Sequence, residues 1–255
     1  MISGKEYCLG MGREDEIITR RDISYPYSID SDEMVARFEK CYTAAINDVM
    51  TSQSLEGSLR MPSTWLGPDI KCRTKELNRD VVAGFAFTIQ WVKDPSPDER
   101  VRPGEKMLSS YFKNAILVVD TGGDPESGYL GELNTNAMMR NGVRASVIDG
   151  GAKDTGFVKL MNFPVFCKFS SPIDAYTNHR LRGWHLPIII NRVKIEPMDV
   201  IVGDSDGVMV VPRAIAEEVL LKVEERKQFE DKTRELIKSG LSPEEAAIRM
   251  GAKEL

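Results

Sequence analysis

Histidine and cysteine are scarce: two of the first and four of the second in 255 residues. The cysteines, Cys8, Cys41, Cys72 and Cys167, are far apart and form no C-x-x-C pair. Neither a zinc site nor a disulfide framework is expected from them, and reduced thiols in a cytoplasm fit better. Excess positive charge is also missing. Lys plus Arg number 34 against 39 Asp plus Glu, a formal charge of -5, so the chain has no basic surplus for phosphate neutralisation and nucleic acid is excluded as the expected partner. No apolar run is long enough to cross a bilayer. The opening Met1 to Glu6 leads into mixed charge with no apolar h-region, so neither a membrane association nor a signal peptide is expected. Internal repeats and low-complexity tracts are absent. What remains is an ordinary globular composition, 42% hydrophobic and 29% charged, with a length that suits one substantial domain.

Hydrophobic periodicity supplies the elements. Residues 1–30 show no clear period and are expected to form an irregular arm, with the main domain over 31–240 and a short helix and tail over 241–255. From Ser31, a plausible N-cap, Val35, Phe38, Ala45, Ile46 and Val49 recur at helical spacing and predict one long amphipathic helix to about Met50. The run from Val81 to Ile89 predicts a buried strand, Pro95 to Pro103 a surface loop, and Ala115 to Asp120 a second strand buried on both faces. A Gly/Asp/Pro/Ser loop follows, then a helix carrying Leu130, Leu133, Ala137 and Met138, stopped at Asn141-Gly142. Val143 to Ile148 predicts a third strand, closed by a turn at Asp149-Gly150-Gly151. Short strands are expected at 164–169, 187–191, 200–202 and 208–211, a tight turn at Asp204-Ser205-Asp206-Gly207, and helices at 213–239 and 243–250. His179 and His185 flank Trp184 in a polar stretch that reads as surface. The sum is an α/β domain with a mixed sheet.

The stretch from Leu117 to Thr155 carries most of the chemistry. It reads strand, Gly-rich loop, helix, strand, and a second Gly-rich segment ending in Lys153-Asp154. Loops at the carboxyl ends of strands in an open α/β sheet are where ligands bind. The amides of Gly131, Glu132, Leu133 and Asn134 belong to the first turn of the helix, and their unsatisfied N–H groups and the helix dipole suit a small carboxylate or phosphate. The next strand, returning beside its predecessor, is expected to bring Lys153 and Asp154 near that helix start. Asp154 and Glu132 are hard oxygen donors suited to magnesium or manganese. A cation, two carboxylates and an anion-binding helix end are what an oxo acid and its developing enolate need. Taken alone, Lys153 and Asp154 read as a solvated pair and the Gly-rich loop as a connection.

The joint pattern is more specific than its parts. Val118-Val119-Asp120-Thr121-Gly122-Gly123-Asp124, Gly131-Glu132-Leu133, Gly142, Val147 to Asp154, Phe163 to Phe166, Pro197-Met198-Asp199-Val200, Asp204 to Val208 and Val211-Pro212 together resemble the RraA-like family, over roughly residues 31–240. That family includes 4-hydroxy-4-methyl-2-oxoglutarate aldolases and the regulator of ribonuclease activity A. The resemblance implies a swivelling-type α/β/α sandwich with a mixed sheet, a homotrimer or dimer of trimers, and a metal-dependent site between subunits. It implies a lyase of the class II, metal-dependent pyruvate aldolase type. Its action would be retro-aldol cleavage of a 4-hydroxy-2-oxo acid, with oxaloacetate decarboxylation as a related activity. Carried over by position, Asp154 is the metal-binding aspartate and Glu132 a second acidic group holding metal-bound water, the metal being Mg²⁺ or Mn²⁺. The amides from Gly131 to Asn134, with Lys153, would bind substrate, and Glu230 from the C-terminal helix of an adjacent subunit would be a further acidic ligand. Lys153 stands where the family motif has arginine, and one compact charge does not reproduce a planar fork. Two other readings stay open: a different sugar-acid aldolase or dehydratase on the same scaffold, and a non-catalytic, ribonuclease-regulator-like binding protein.

Overall fold

A computed structural model of the chain describes residues 18–19, 23–52, 57–94 and 104–250. In chain order the strands are β1 (Ile18–Thr19), β2 (Lys71–Cys72), β3 (Val82–Lys93), β4 (Ala115–Asp120), β5 (Ala145–Ala152), β6 (Val165–Ser170), β7 (His179–Trp184), β8 (Ile188–Ile190), β9 (Val193–Ile195), β10 (Val200–Asp204) and β11 (Gly207–Val211). The helices are α1 (Ser31–Phe38), α2 (Thr43–Thr51), α3 (Gly104–Leu108), α4 (Glu132–Arg140), α5 (Thr155–Leu160), α6 (Ala216–Lys238) and α7 (Pro243–Arg249).

β3, β4, β5 and β6 run parallel as neighbours, joined from β4 onward by α4 and α5. Their near-continuous apolar runs follow from burial on both faces. The sheet is mixed at its margins. β7 pairs antiparallel with the second half of β3, β10 antiparallel with its first half, and β2 antiparallel with β6. This is the mixed α/β architecture the sequence implies. Among the described residues no helix is long and apolar enough to cross a membrane.

Apolar side chains gather in three clusters. One, built on Phe87, Leu117, Met138 and Val158, lies under α4 and α5. A second packs α1, α2 and α6 on β3, β10 and β11 through Phe38, Ile46, Phe85 and Leu220. A third, including Phe166, Ile116 and Ile190, holds the β8–β9 hairpin.

Several local expectations need correcting. The helix expected from Ser31 to Met50 is two helices. Asp30, not Ser31, caps the first, accepting from the Asp32 and Glu33 amides. Tyr42 is extended at the start of the second, where Asp204 takes the Thr43 amide at 2.7 Å and its hydroxyl at 2.8 Å. A carboxylate from the β10–β11 turn thus supplies the cap that α2 lacks locally. Asp149-Gly150-Gly151 is not a turn but part of β5, which slips register against β6 between Ile148 and Gly151. His179 and His185 are buried rather than on the surface, at 7% and 9% exposure. His179 opens β7, whose side chains alternate inward and outward. The loop expected at 95–103, residues 1–17 and 20–22 of the arm expected over 1–30, and the end of the tail, 251–255, lie outside the described residues.

Candidate functional site

The loop between β4 and α4 is held by its own carboxylates. Asp120, at the end of β4, accepts from the Gly122 amide at 2.9 Å and from Gln90 Nε2 at 2.8 Å. Asp124 accepts from the amides of Glu126 (3.0 Å) and Ser127 (3.1 Å) and from the Tyr129 hydroxyl (2.8 Å), with His179 Nδ1 at 3.5 Å. Burial opposes ionisation of Asp124, but the bonds from Ser127, Glu126 and Tyr129 outweigh it and hold its carboxyl below the usual range. Gln90, Asp120, Asp124 and His179 line a cavity of about 500 Å³. Sequence reading missed this cluster because Gln90 and His179 reach Asp120 and Asp124 from β3 and β7, far away in the chain.

The loop then zips onto two later segments. Gly128 forms parallel bridges to both Gly151 and Asp174. The Tyr129 amide donates to Gly151 at 2.9 Å and the Lys153 amide to Leu130 at 2.8 Å. Gly128 is required here, because a Cβ on it would lie 2.9 Å from both Lys153 Cβ and the Ser171 carbonyl oxygen.

These contacts bring the predicted residues together. Gly131 is the N-cap of α4 but has no side chain to cap with. Asp154 supplies the acceptor from 22 residues away, its Oδ2 taking the Glu132 amide at 3.3 Å. A Cβ on Gly131 would lie 2.4 Å from that oxygen, so the bare glycine is what lets the carboxylate sit on the helix start. Asp154 is left-handed, φ 54°, ψ 26°, and its side chain makes no bond to the helix it begins, α5. A non-glycine residue in that conformation is strained and persists because the surroundings fix it.

Of the expected amide set, that of Glu132 is taken by Asp154. The amides of Leu133 and Asn134 meet no acceptor among the described residues. The Glu132 carboxylate accepts from Asn136 Nδ2 at 2.9 Å, and Lys153 Nζ donates to Asp174 Oδ2 at 3.1 Å. Glu230 is elsewhere within the chain: α6 packs on α2, and Glu230 accepts from Tyr42 and pairs with Arg226 at 3.0 Å. No cluster of three His, Cys, Asp or Glu suited to a metal occurs among the described residues. Within one chain the Asp154 carboxylate sits on the start of α4, while the Glu132 carboxylate lies along the first turn of the same helix, toward Asn136. Two carboxylates with no nitrogen or sulfur donor beside them among the described residues are a donor set of the kind that suits magnesium or manganese, which keep several waters.

Around this site apolar side chains face outward. Leu133, Phe157 and Leu160 are 80%, 64% and 86% exposed.

Comparison with known proteins agrees with the fold. The profile of the family described as RraA-like, Aldolase/RraA, matches residues 43–210. A Halalkalibacterium halodurans protein, provisionally named 4-hydroxy-4-methyl-2-oxoglutarate aldolase, is 30% identical over 209 residues, covering 80% of this chain and 87% of that protein. Protein DlpA of Legionella pneumophila is 26% identical over 222 residues, which is 86% of this chain but 34% of DlpA, so the chain spans about a third of that relative's length. The crystal structure of Streptomyces coelicolor RraAS2, described as an unusual member of the RNase ES inhibitor RraA protein family, superposes with a TM-score of 0.67. It covers 82% of this chain and 99% of RraAS2 at 22% identity, a likeness of fold.

Proposed function

The chain belongs to the RraA-like family, and from that premise we propose that it is a metal-assisted lyase performing retro-aldol cleavage of a 4-hydroxy-2-oxo acid to pyruvate. Decarboxylation of oxaloacetate follows from the same chemistry, since both reactions pass through a pyruvate enolate. One observation carries the reading: the Asp154 carboxylate is seated on the bare Gly131 at the start of α4, beside the Lys153 ammonium's segment.

In this reading the free amides of Leu133 and Asn134, with the positive end of α4, hold the substrate carboxylate. Asp154 and Glu132 would hold Mg²⁺ or Mn²⁺, which when bound would supply Lewis-acid charge for the 2-oxo group. Lys153 neutralises negative charge as the C3–C4 bond breaks and the enolate forms. Glu132 takes up, through water, the proton leaving the 4-hydroxyl, C4 departs as a carbonyl compound, and the same water returns the proton to C3 of the enolate to give pyruvate. The outward Leu133, Phe157 and Leu160 support an interface beside the site, and the proposed assembly is a homotrimer or dimer of trimers in which a neighbouring copy covers it. Glu230 of such a copy is the proposed further ligand.

The test is pyruvate release from 4-hydroxy-4-methyl-2-oxoglutarate and from oxaloacetate. Asp154→Ala is expected to abolish turnover, and EDTA to reproduce the loss in the unaltered protein until Mg²⁺ is restored. Full turnover in excess EDTA refutes the metal's part. Water loss without carbon–carbon cleavage refutes the retro-aldol step.

A further inference from the structure

Lys153 lies along a floor made by two glycines. Its Cβ stands over Gly128, and its Cγ is 3.3 Å from where a Cβ on Gly131 would be. The far end of the side chain meets Asp174, with Nζ to Oδ2 at 3.1 Å. Asp174 is itself fixed: it caps the 3-10 turn Ala175–Thr177, its Oδ1 accepting from the Tyr176 amide at 2.9 Å, and Gly128 bridges to its backbone.

We propose that Asp174 is the positioning residue for Lys153, aiming a single ammonium group at the mouth of the site where two of its N–H donors remain for the substrate. The inference rests on the lyase reading above. An arginine orients itself by two parallel bonds from a rigid fork, whereas lysine is a point charge on four rotatable carbons. Without a partner the ammonium would sample several rotamers, and the neutralisation of an enolate depends on where it stands. The pair contributes little to folding, because the side chains of Lys153 and Asp174 remain 26% and 45% exposed and water screens them. What the contact provides is direction.

The experiment is a double-mutant cycle with Asp174→Asn and Lys153→Met, and Asp174→Glu as the conservative variant. Asparagine keeps a carbonyl oxygen for the Tyr176 amide, so the cap survives while the ion pair is lost. Asp174→Asn is expected to lower kcat for pyruvate release about 10-fold with KM within about threefold. Asp174→Glu should recover most of that loss. In the Lys153→Met background, Asp174→Asn should change kcat/KM less than about twofold, because its effect runs through Lys153. A crystal structure of the Asp174→Asn protein supplies a readout independent of turnover: the lysine head should leave its position while the Tyr176 cap remains. Additive effects in the cycle, or an unmoved Lys153 head, overturn the proposal. Absence of pyruvate release by the unaltered protein, with the Lys153 head displaced in the variant, refutes the lyase reading and upholds the positioning.

Discussion

Gly131→Ala separates the chemistry of the site from its stability. Gly131 has φ -122° and ψ -175°, extended values that alanine adopts freely, so the backbone sets no penalty. The added methyl would meet Asp154 Oδ2 at 2.4 Å, where ordinary contact starts at 3.4 Å, and the carboxylate must retreat by about 1 Å. That oxygen is the end of an exposed side chain, so it yields without moving the backbone. The fold loses one long capping bond, about 0.5–1 kcal/mol. Turnover should suffer far more. A displacement of about 1 Å in a reacting geometry costs on the order of 100-fold, or about 2.7 kcal/mol of barrier. Steady-state pyruvate release with saturating Mg²⁺ measures the first quantity and urea unfolding the second. A variant within twofold of the parent's kcat/KM would show that the seat of Asp154 on α4 is irrelevant to the reaction. A stability loss above about 3 kcal/mol would show that the glycine serves packing.

Two further outcomes test the frame around the site. Gly84→Ala should destabilise by about 1–3 kcal/mol in urea unfolding, because its Cβ would lie 2.5 Å from the Asn114 carbonyl oxygen, which accepts the Phe85 amide and cannot withdraw without breaking the β3–β4 edge; a change under about 0.5 kcal/mol refutes that rigidity. Asp199 gives a pH signature. Burial pushes its carboxyl up to about 6, against hydrogen bonds from the Arg213 and Glu196 amides. A carboxyl raised above its unfolded value of 3.8 binds its proton more tightly when folded, so its stability contribution is complete below pH 4 and is lost as pH rises through about 6. The unaltered protein should therefore lose stability relative to Asp199→Asn between about pH 4 and 6, by up to about 3 kcal/mol. Parallel pH profiles refute it.

Much of this architecture was legible where local signals were strong. β4 is a fully apolar run ending in Asp120, and Asn141-Gly142 stops α4 with Gly142 at φ 76°. The meeting of Lys153 and Asp154 with the Gly131 helix start followed from parallel return of β5 beside β4. α5 was missed because its six residues are too short to show a period. β7 does carry a signal: His179, Leu181 and Gly183 are buried while Arg180 and Arg182 are not, an alternation hidden by its charges. The break between α1 and α2 depends on Asp204, 161 positions from Thr43. Asp174 and the Asp124–His179 pair are likewise long-range meetings, to which neither period nor propensity points.

β3 is flanked along its first half by β10 and along its second by β7. In the first of these ladders Ala83 faces Val202, 119 positions later. During synthesis β3 therefore emerges long before its antiparallel neighbours do, and folding must close loops of that length before the central strand is paired on both sides. A fragment ending after Asp174 would contain Glu132, Lys153 and Asp154, yet leave one whole edge of β3 as bare hydrogen-bonding backbone, an invitation to misassembly.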